Sequence, residues 1–450
     1  MWGLESASTL EAEFEGLILP DRRFNKNVLM MGRKLAAQPG ASFSAACGEA
    51  LRKSADRLFS YEDLDLMATH RHRTHQRISE YGTVLLIEDT TDLVYKQSNK
   101  QGMGPLGGPP NCKVTGLNLH SAVALTEQGL PLGIVSHHCW APCSQHKGVQ
   151  REKIPIEQKE SYKWIRTIEP LNQLALQYPN IRFIKIGDRE ADFFEHYSWR
   201  REPGAELLIR LREKQRNVFY NGQAVKVGDL NGVLPIAGTG KLSINRKGKT
   251  MEREVSYQFG QIQVPPTARR DLEVAGMQVV IVTSIDGDNN KEPLEWLLIT
   301  TLPVSGLDDC VRMAVYYALR WTIERYHLIL KSGLGAEKTQ IQSARRIGYA
   351  LELWAVVGWW VLLLMRMGRL QSDELASDYF ESDVIEVLEA TARDPIKTVG
   401  DVVKAVGILG GFRPSKRQPM PGERTLWTGV RLLAAQIKAY HAARKKYGTG

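Results

Sequence analysis

The apolar run at residues 353–365, "LWAVVGWWVLLLM", leaves a chain few ways to fold. Bounded by Glu352 and Arg366, it falls short of the roughly 20 residues that a bilayer span needs. A helix that is apolar all round cannot lie on a surface either, so the run predicts a buried helix around which other elements close. With 450 residues, 43% of them apolar, the chain can bury such a helix and divides into two to four structural units.

The 59 Lys and Arg against 50 Asp and Glu leave a net charge of +9, which favours a polyanionic partner without naming it. Only five cysteines occur, and the opening "MWGLESASTLEAEFEG" is acidic where a secretory leader is basic and then apolar. We therefore expect a reducing, cytoplasmic compartment and no membrane partner.

Patterning divides the chain further. Residues 1–70 read as a small basic helical unit: "DRRFNKNVLMMGRKLAA" is amphipathic, and "SFSAACGEALRKSADRLFS" opens on serines that can cap a helix. From Gly82, "TVLLIEDTTDL", "LNLHSAVALT" and "LPLGIVSHH" read as three strands of an antiparallel meander. A helical stretch over 157–177, the strand "IRFIKIGD", a helix from Glu190 and the strand "AELLIRLR" complete the order β-β-β-α-β-α-β. Residues 213 to about 305 alternate as strands between turn sequences and read as an inserted β-rich subdomain. The stretch "YALRWTIERYHLILKSG", the apolar helix and a helical C-terminal region follow.

Three acids stand out chemically. Asp89 ends "VLLIED" and Asp188 ends "RFIKIGD", so each carboxylate is displayed at the end of an apolar strand. Glu324 shares one helical face with Tyr317, Arg320, His327 and Lys331, spaced three or four residues apart. Two strand-end Asp and a helical Glu suit hard divalent cations. In two-metal phosphoryl transfer, one ion activates the attacking oxygen and the second, about 3.5–4 Å away, stabilises the leaving one. Arg320 and Lys331 would clamp phosphates beside the ions, and Tyr317 would bond another. Each piece also has a plainer reading. Asp188 suits a helix cap, and the polar stripe suits a solvated face with spaced ion pairs. Spacing alone does not bring together acids as far apart in sequence as these.

The segments "IEDTTDL", "GDREADFF" and "YALRWTIERYHLILKSG", in this order, resemble three signatures of the cut-and-paste DDE transposases of the bacterial insertion-sequence-four family, which includes the transposase of transposon Tn-five. Tyr317, Arg320, Glu324 and Lys331 fit the family pattern Y-x(2)-R-x(3)-E-x(6)-K, and "DREAD" matches its second-acid motif. The similarity extends to "EPLEWLLITTLPV", "LGGF", "SKR" and "LWTGVRLL", and is weakest before residue 20 and in the insertion. It implies an α/β fold with an RNase H-like catalytic core at 71–368, a mixed sheet flanked by helices and carrying the β insertion. It also implies an end-binding helical domain at 1–70 and a dimerising helical region at 369–450. Asp89, Asp188 and Glu324 would hold two Mg²⁺, with Mn²⁺ substituting. Tyr317, Arg320 and Lys331 would contact DNA phosphates, and Trp296 would stack on a base flipped from the transposon end. Arg189, Arg210 and Arg212 would reach DNA beside the second acid, and Arg22, Arg23, Lys26, Arg33 and Lys34 would bind end DNA. The implied activity is metal-dependent excision of an element through a hairpin and joining of its 3′ ends to target DNA, by a nucleoid-associated homodimer. Competing readings are a catalytically silent end-binding regulator and a metal-dependent nuclease of the same fold.

Some features depart from the family pattern. The loop "KQGMGPLGGPPNCKVTGLN" lacks the Trp pair often found ahead of the His120-Ser121 that this chain keeps. "HHCWAPCSQH", residues 137–146, offers two Cys and three His, but its C-x(3)-C spacing without a second paired cluster argues against zinc. "HRHRTHQR", residues 70–77, reads as a solvated basic helix face near DNA.

Overall fold

The computed structural model describes residues 10–95, 100–106, 114–142, 154–246, 249–266, 273–285, 293–392 and 394–448. The N-terminal helices are α1 (Arg23–Ala37), α2 (Phe43–Leu58) and α3 (Ala68–Ile78), with the Ser42 hydroxyl accepting the Ala45 amide at the start of α2. Strands β1 (Thr83–Val94), β2 (Gly104–Pro105), β3 (Thr115–Leu125) and β4 (Pro131–Trp140) follow. Helices α4 (Tyr162–Arg166) and α5 (Ile168–Gln177) lead to β5 (Arg182–Gly187), a 3₁₀ turn at Arg189–Ala191, α6 (Phe194–Ser198) and β6 (Ala205–Arg210). The helix expected from Glu190 is thus a capped turn and a short helix.

Strands β7 (Asn217–Tyr220), β8 (Gln223–Lys226), β9 (Ile236–Arg246), β10 (Lys249–Val264), β11 (Ala275–Ser284) and β12 (Glu295–Thr300) come next. They do not form a sheet of their own. Pairing of β12 with β6, Leu298 opposite Arg210, runs them into the first strands. One mixed sheet of twelve strands among the described residues results, ordered β2-β3-β1-β5-β6-β12-β11-β10-β7-β8, with β4 on β3 and β9 on β10. The sequence marks the insertion by its alternation. Sharing of hydrogen bonds across the β6–β12 edge is a tertiary fact.

Helices α7 (Leu307–Leu319) and α8 (Trp321–Leu328) end in a π-turn at Ile329–Gly333. The stretch 317–331 is therefore two helices and a turn rather than one continuous helix. Helix α9 (Ala344–Leu370) contains the apolar run, and α10 (Ser382–Glu389), α11 (Val399–Leu409) and α12 (Glu423–Tyr447) close the chain. Among the described residues α9 is the one helix long and apolar enough to cross a membrane, and 89% of its most apolar stretch is buried inside the protein.

Alternation decides what each face of the sheet meets. Leu85 and Ile87 of β1, Leu119 of β3, and Ile184 and Ile186 of β5 pack with Ile323 and Tyr326 of α8 and with α9. Val84, Leu86 and Phe183 point the other way, onto Leu171 and Leu174 of α5. Asp89 and Asp188 continue the first of these rows, toward α8.

Candidate active site

Strands β1 and β5 are parallel neighbours, with Ile87 opposite Ile186. Two residues further along, the same register sets Asp89 beside Asp188, where β5 ends. Asp89 does not end its own strand as expected, because β1 runs on to Val94 held by β3. The α8 helix crosses above them. Its Glu324 accepts a hydrogen bond from Arg320 Nη2 at 2.6 Å, and Arg320 Nη1 lies 3.2 Å from Asp89 Oδ2. One guanidinium therefore bridges two of the three acids. Asp188 also accepts the Glu190 amide at 2.8 Å, so it caps the turn as the plainer reading has it, and the same carboxylate faces the other acids.

Burial pushes the Asp89 carboxyl up to about 6, with Asp188 and Glu324 adding to the rise and Arg320 opposing it. Burial raises Glu324 too, Arg320 again opposing and Asp188 assisting. Crowded under partial burial, Asp89 and Glu324 resist ionisation unless a cation offsets them. Among the described residues no three His, Cys, Asp or Glu side chains are drawn in as a preformed metal shell, and Arg320 supplies the local positive charge.

The flanks are cationic and aromatic. Tyr317 and Trp296 meet edge to face with ring centroids 4.9 Å apart, and each is almost wholly buried, at 5% and 7% exposure. Arg210 lies over the Trp296 ring at 6.0 Å and donates to the Glu295 carbonyl at 3.2 Å. Arg189 and Arg320 both bear on Arg210, and Arg189 and Arg212 are exposed. The π-turn turns Lys331 back to β1, where Nζ donates to the Asp92 carbonyl at 2.7 Å. Asp89, Asp188, Glu324, Tyr317, Arg320, Lys331, Trp296, Arg189 and Arg210 thus converge from five separate stretches of chain. Tyr317 and His327, expected on a solvated polar face, are buried, because that face lies against the sheet.

The N-terminal cations are not part of this cluster. Arg22, Arg23 and Lys26 are exposed on or beside α1, with Arg23 paired to Asp21, while Arg33 is held by Glu11 at 2.6 Å. The "HRHRTHQR" segment is only partly solvated. His70 is fully buried, 2.5 Å from Glu13, and Arg77 reaches Glu13 at 2.8 Å, because α3 packs this side onto β4 and α9. In the "HHCWAPCSQH" stretch, His137 and Cys139 share one face of β4 and His138 points from the other, while Cys143 and His146 lie outside the described residues. Part of the Gly/Pro-rich loop, 107–113, also lies outside them.

Directly beneath the acids lie four polar residues, of which the sequence marks only His120, and that without a role. Glu88, Lys185, His120 and Thr167 are all buried and bonded to one another on the far side of the sheet. Burial resists the charge on Glu88, yet the Lys185 ammonium and His120 outweigh it and hold the carboxyl well below its usual range. A signal was present: "VLLIED" and "RFIKIGD" each carry one charge inside an otherwise apolar strand, and strands that pair in parallel can pair those charges. No family model matches the chain.

Proposed function

We propose that this chain is a DNA transposase with an RNase H-like catalytic core. It binds the inverted-repeat ends of a mobile element as a homodimer, cuts them, and joins the freed 3′ ends to target DNA. The observation that carries this reading is the side-by-side display of Asp89 and Asp188 under Glu324, flanked on both sides by cations.

Three carboxylates are a hard oxygen donor set of the kind that takes Mg²⁺, with Mn²⁺ as substitute. The guanidinium lodged between Asp89 and Glu324 is a positive group where a cation would sit. Bound there, two Mg²⁺ would activate the attacking oxygen and stabilise the leaving one. Arg320 then has a second task. Released from the acids, its planar fork suits bidentate contact with a DNA phosphate. Lys331 on one flank and Arg189 and Arg210 on the other supply positive charge along a backbone crossing the acids. For Trp296 to stack on a flipped base, its contact with Tyr317 has to open. The net charge of +9 favours the same partner, and a cytoplasmic, nucleoid-associated location goes with it.

The test is Mg²⁺-dependent cleavage of a plasmid carrying the element's flanking ends, comparing wild type with Glu324→Ala on denaturing gels. End-specific double-strand breaks with hairpin products, lost in the variant, support the reading. Binding of ends without cutting by either protein favours a silent end-binding regulator, and degradation of DNA lacking the ends favours a nuclease.

A further inference from the structure

Glu88 precedes Asp89 on β1 and points through the opposite face of the sheet, and Lys185 stands three residues before Asp188 on β5. Their side chains meet in a direct ion pair with no more than 1% of either exposed. Thr167, the N-cap residue of α5, donates to Glu88 at 2.8 Å and receives Lys185 Nζ at 2.5 Å. His120 of β3 lies 3.1 Å from Glu88 through Nε2 and 2.9 Å from the Thr90 hydroxyl through Nδ1. Bonding of Nε2–H to the carboxylate leaves Nδ1 to accept from Thr90, the residue after Asp89. Trp164 closes the cluster. Its ring lies 4.9 Å from that of His120 and 5.5 Å from Lys185 Nζ, and it packs so tightly on Gly187 that a Cβ there would come within 3.2 Å of it.

A buried ion pair is seldom more stabilising than the apolar residues that could replace it, and its best-attested use is to fix one arrangement against its neighbours. Here that arrangement is the pairing of β1 with β5. Slippage of β1 by one residue would turn Glu88 toward the apolar side of α8 and α9, away from Lys185. The cluster spans β3, β1 and β5 just beneath Asp89 and Asp188.

We propose that Glu88, Lys185, His120 and Thr167 are positioning residues that set the spacing of Asp89 and Asp188, and through it the affinity of the acids for divalent cations. This rests on the reading of Asp89, Asp188 and Glu324 as metal ligands. Partners that orient ligating groups from behind commonly change metal affinity about 10–100-fold when removed. A cluster serving stability alone has no such effect once its charges are replaced by packed apolar groups.

The test is Mn²⁺ binding to the full chain without DNA, followed by electron paramagnetic resonance titration, alongside the thermal melting temperature. The double variant Glu88→Leu/Lys185→Met removes both charges together and leaves neither stranded. It should fold and melt at or above the wild-type temperature, yet bind Mn²⁺ at least about tenfold more weakly. Thr167→Val and Thr167→Ser form a second arm on an element that carries none of the acids. The Val variant, which loses the hydroxyl, should bind Mn²⁺ several-fold more weakly, and the Ser variant, which keeps it, should bind like wild type. Wild-type affinity in the double variant, or equal losses in both Thr167 variants, overturns the proposal. Should the double variant fail to fold, the Thr167 pair decides. Wild-type protein that binds no Mn²⁺, or binds it unchanged after Asp89→Asn, overturns the metal-ligand reading itself and the proposal with it.

Discussion

Arg320 stands at the centre of the resting site, bonded to Asp89 and to Glu324 at once. A guanidinium there competes with any incoming cation, both for the oxygens and through like charge. Arg320→Gln should therefore bind Mn²⁺ in the absence of DNA more tightly, on the order of tenfold or about 1.4 kcal/mol, while cutting DNA more slowly. Looser or unchanged binding in the same titration would refute the competition. Asp89 gives a second prediction. Its carboxyl is raised by burial from 3.8 to about 6, so the ionised form is the one folding disfavours. The cost is absent below about pH 4, grows through the interval, and is complete above pH 6. Asp89→Asn should thus be inactive yet more stable at pH 8 by up to about 3 kcal/mol, with the gain vanishing at pH 4. Denaturant unfolding at the two pH values measures it.

At the scale of elements, α9 and the π-turn carry the arrangement. Helix α9 is buried along most of its length, yet Glu352 sits on it, accepting the Leu66 amide at 2.7 Å. Burial drives this carboxyl up to about 7, assisted by Asp65 and opposed by the Leu66 hydrogen bond and Arg71. As with Asp89, a raised acid costs stability above its folded value and none below its unfolded one. Glu352→Gln keeps an acceptor for Leu66, and it should stabilise the protein by up to about 3 kcal/mol at pH 8 and leave it unchanged at pH 4. Loss of stability at pH 8 would mean that the ionised carboxylate is required by Leu66. The π-turn acts on direction instead. Its extra residue closes a Leu334 amide to Ile329 carbonyl bond of 2.7 Å and brings Lys331 back to β1.

Across the whole molecule, buried polar contacts tie distant segments together. Glu13, ahead of α1, holds His70 and Arg77 of α3, while His70 Nε2 accepts the Ile134 amide of β4 at 3.0 Å. The N-terminal helices are thereby fastened to an outer strand of the sheet. Glu13→Ala leaves buried cationic and imidazole groups without their anion, and should cost about 3–5 kcal/mol. Chemical unfolding measures the loss, and a cost under 1 kcal/mol would show that apolar packing alone fastens the unit.

Sequence by itself determined the local elements. The amphipathic N-terminal helices, the meander, the buried α9 and the end of β5 at Asp188 follow from periodicity, because side-chain alternation and helical pitch are set by neighbouring residues. The strand end expected at Asp89 is overridden by pairing with β3, which carries β1 on to Val94. Candidate site residues were legible as types: acids ending apolar runs, and Tyr317, Arg320, Glu324 and Lys331 at helical spacing. Their convergence was not. The parallel register that sets Asp89 beside Asp188, the joining of β12 to β6, the burial of Trp296 against Tyr317 and the closure of Glu88 onto Lys185 all link residues far apart in the chain. Only packing of the finished sheet against α5, α8 and α9 fixes those pairings, because a hydrogen bond or ion pair between remote strands has no counterpart in the local sequence.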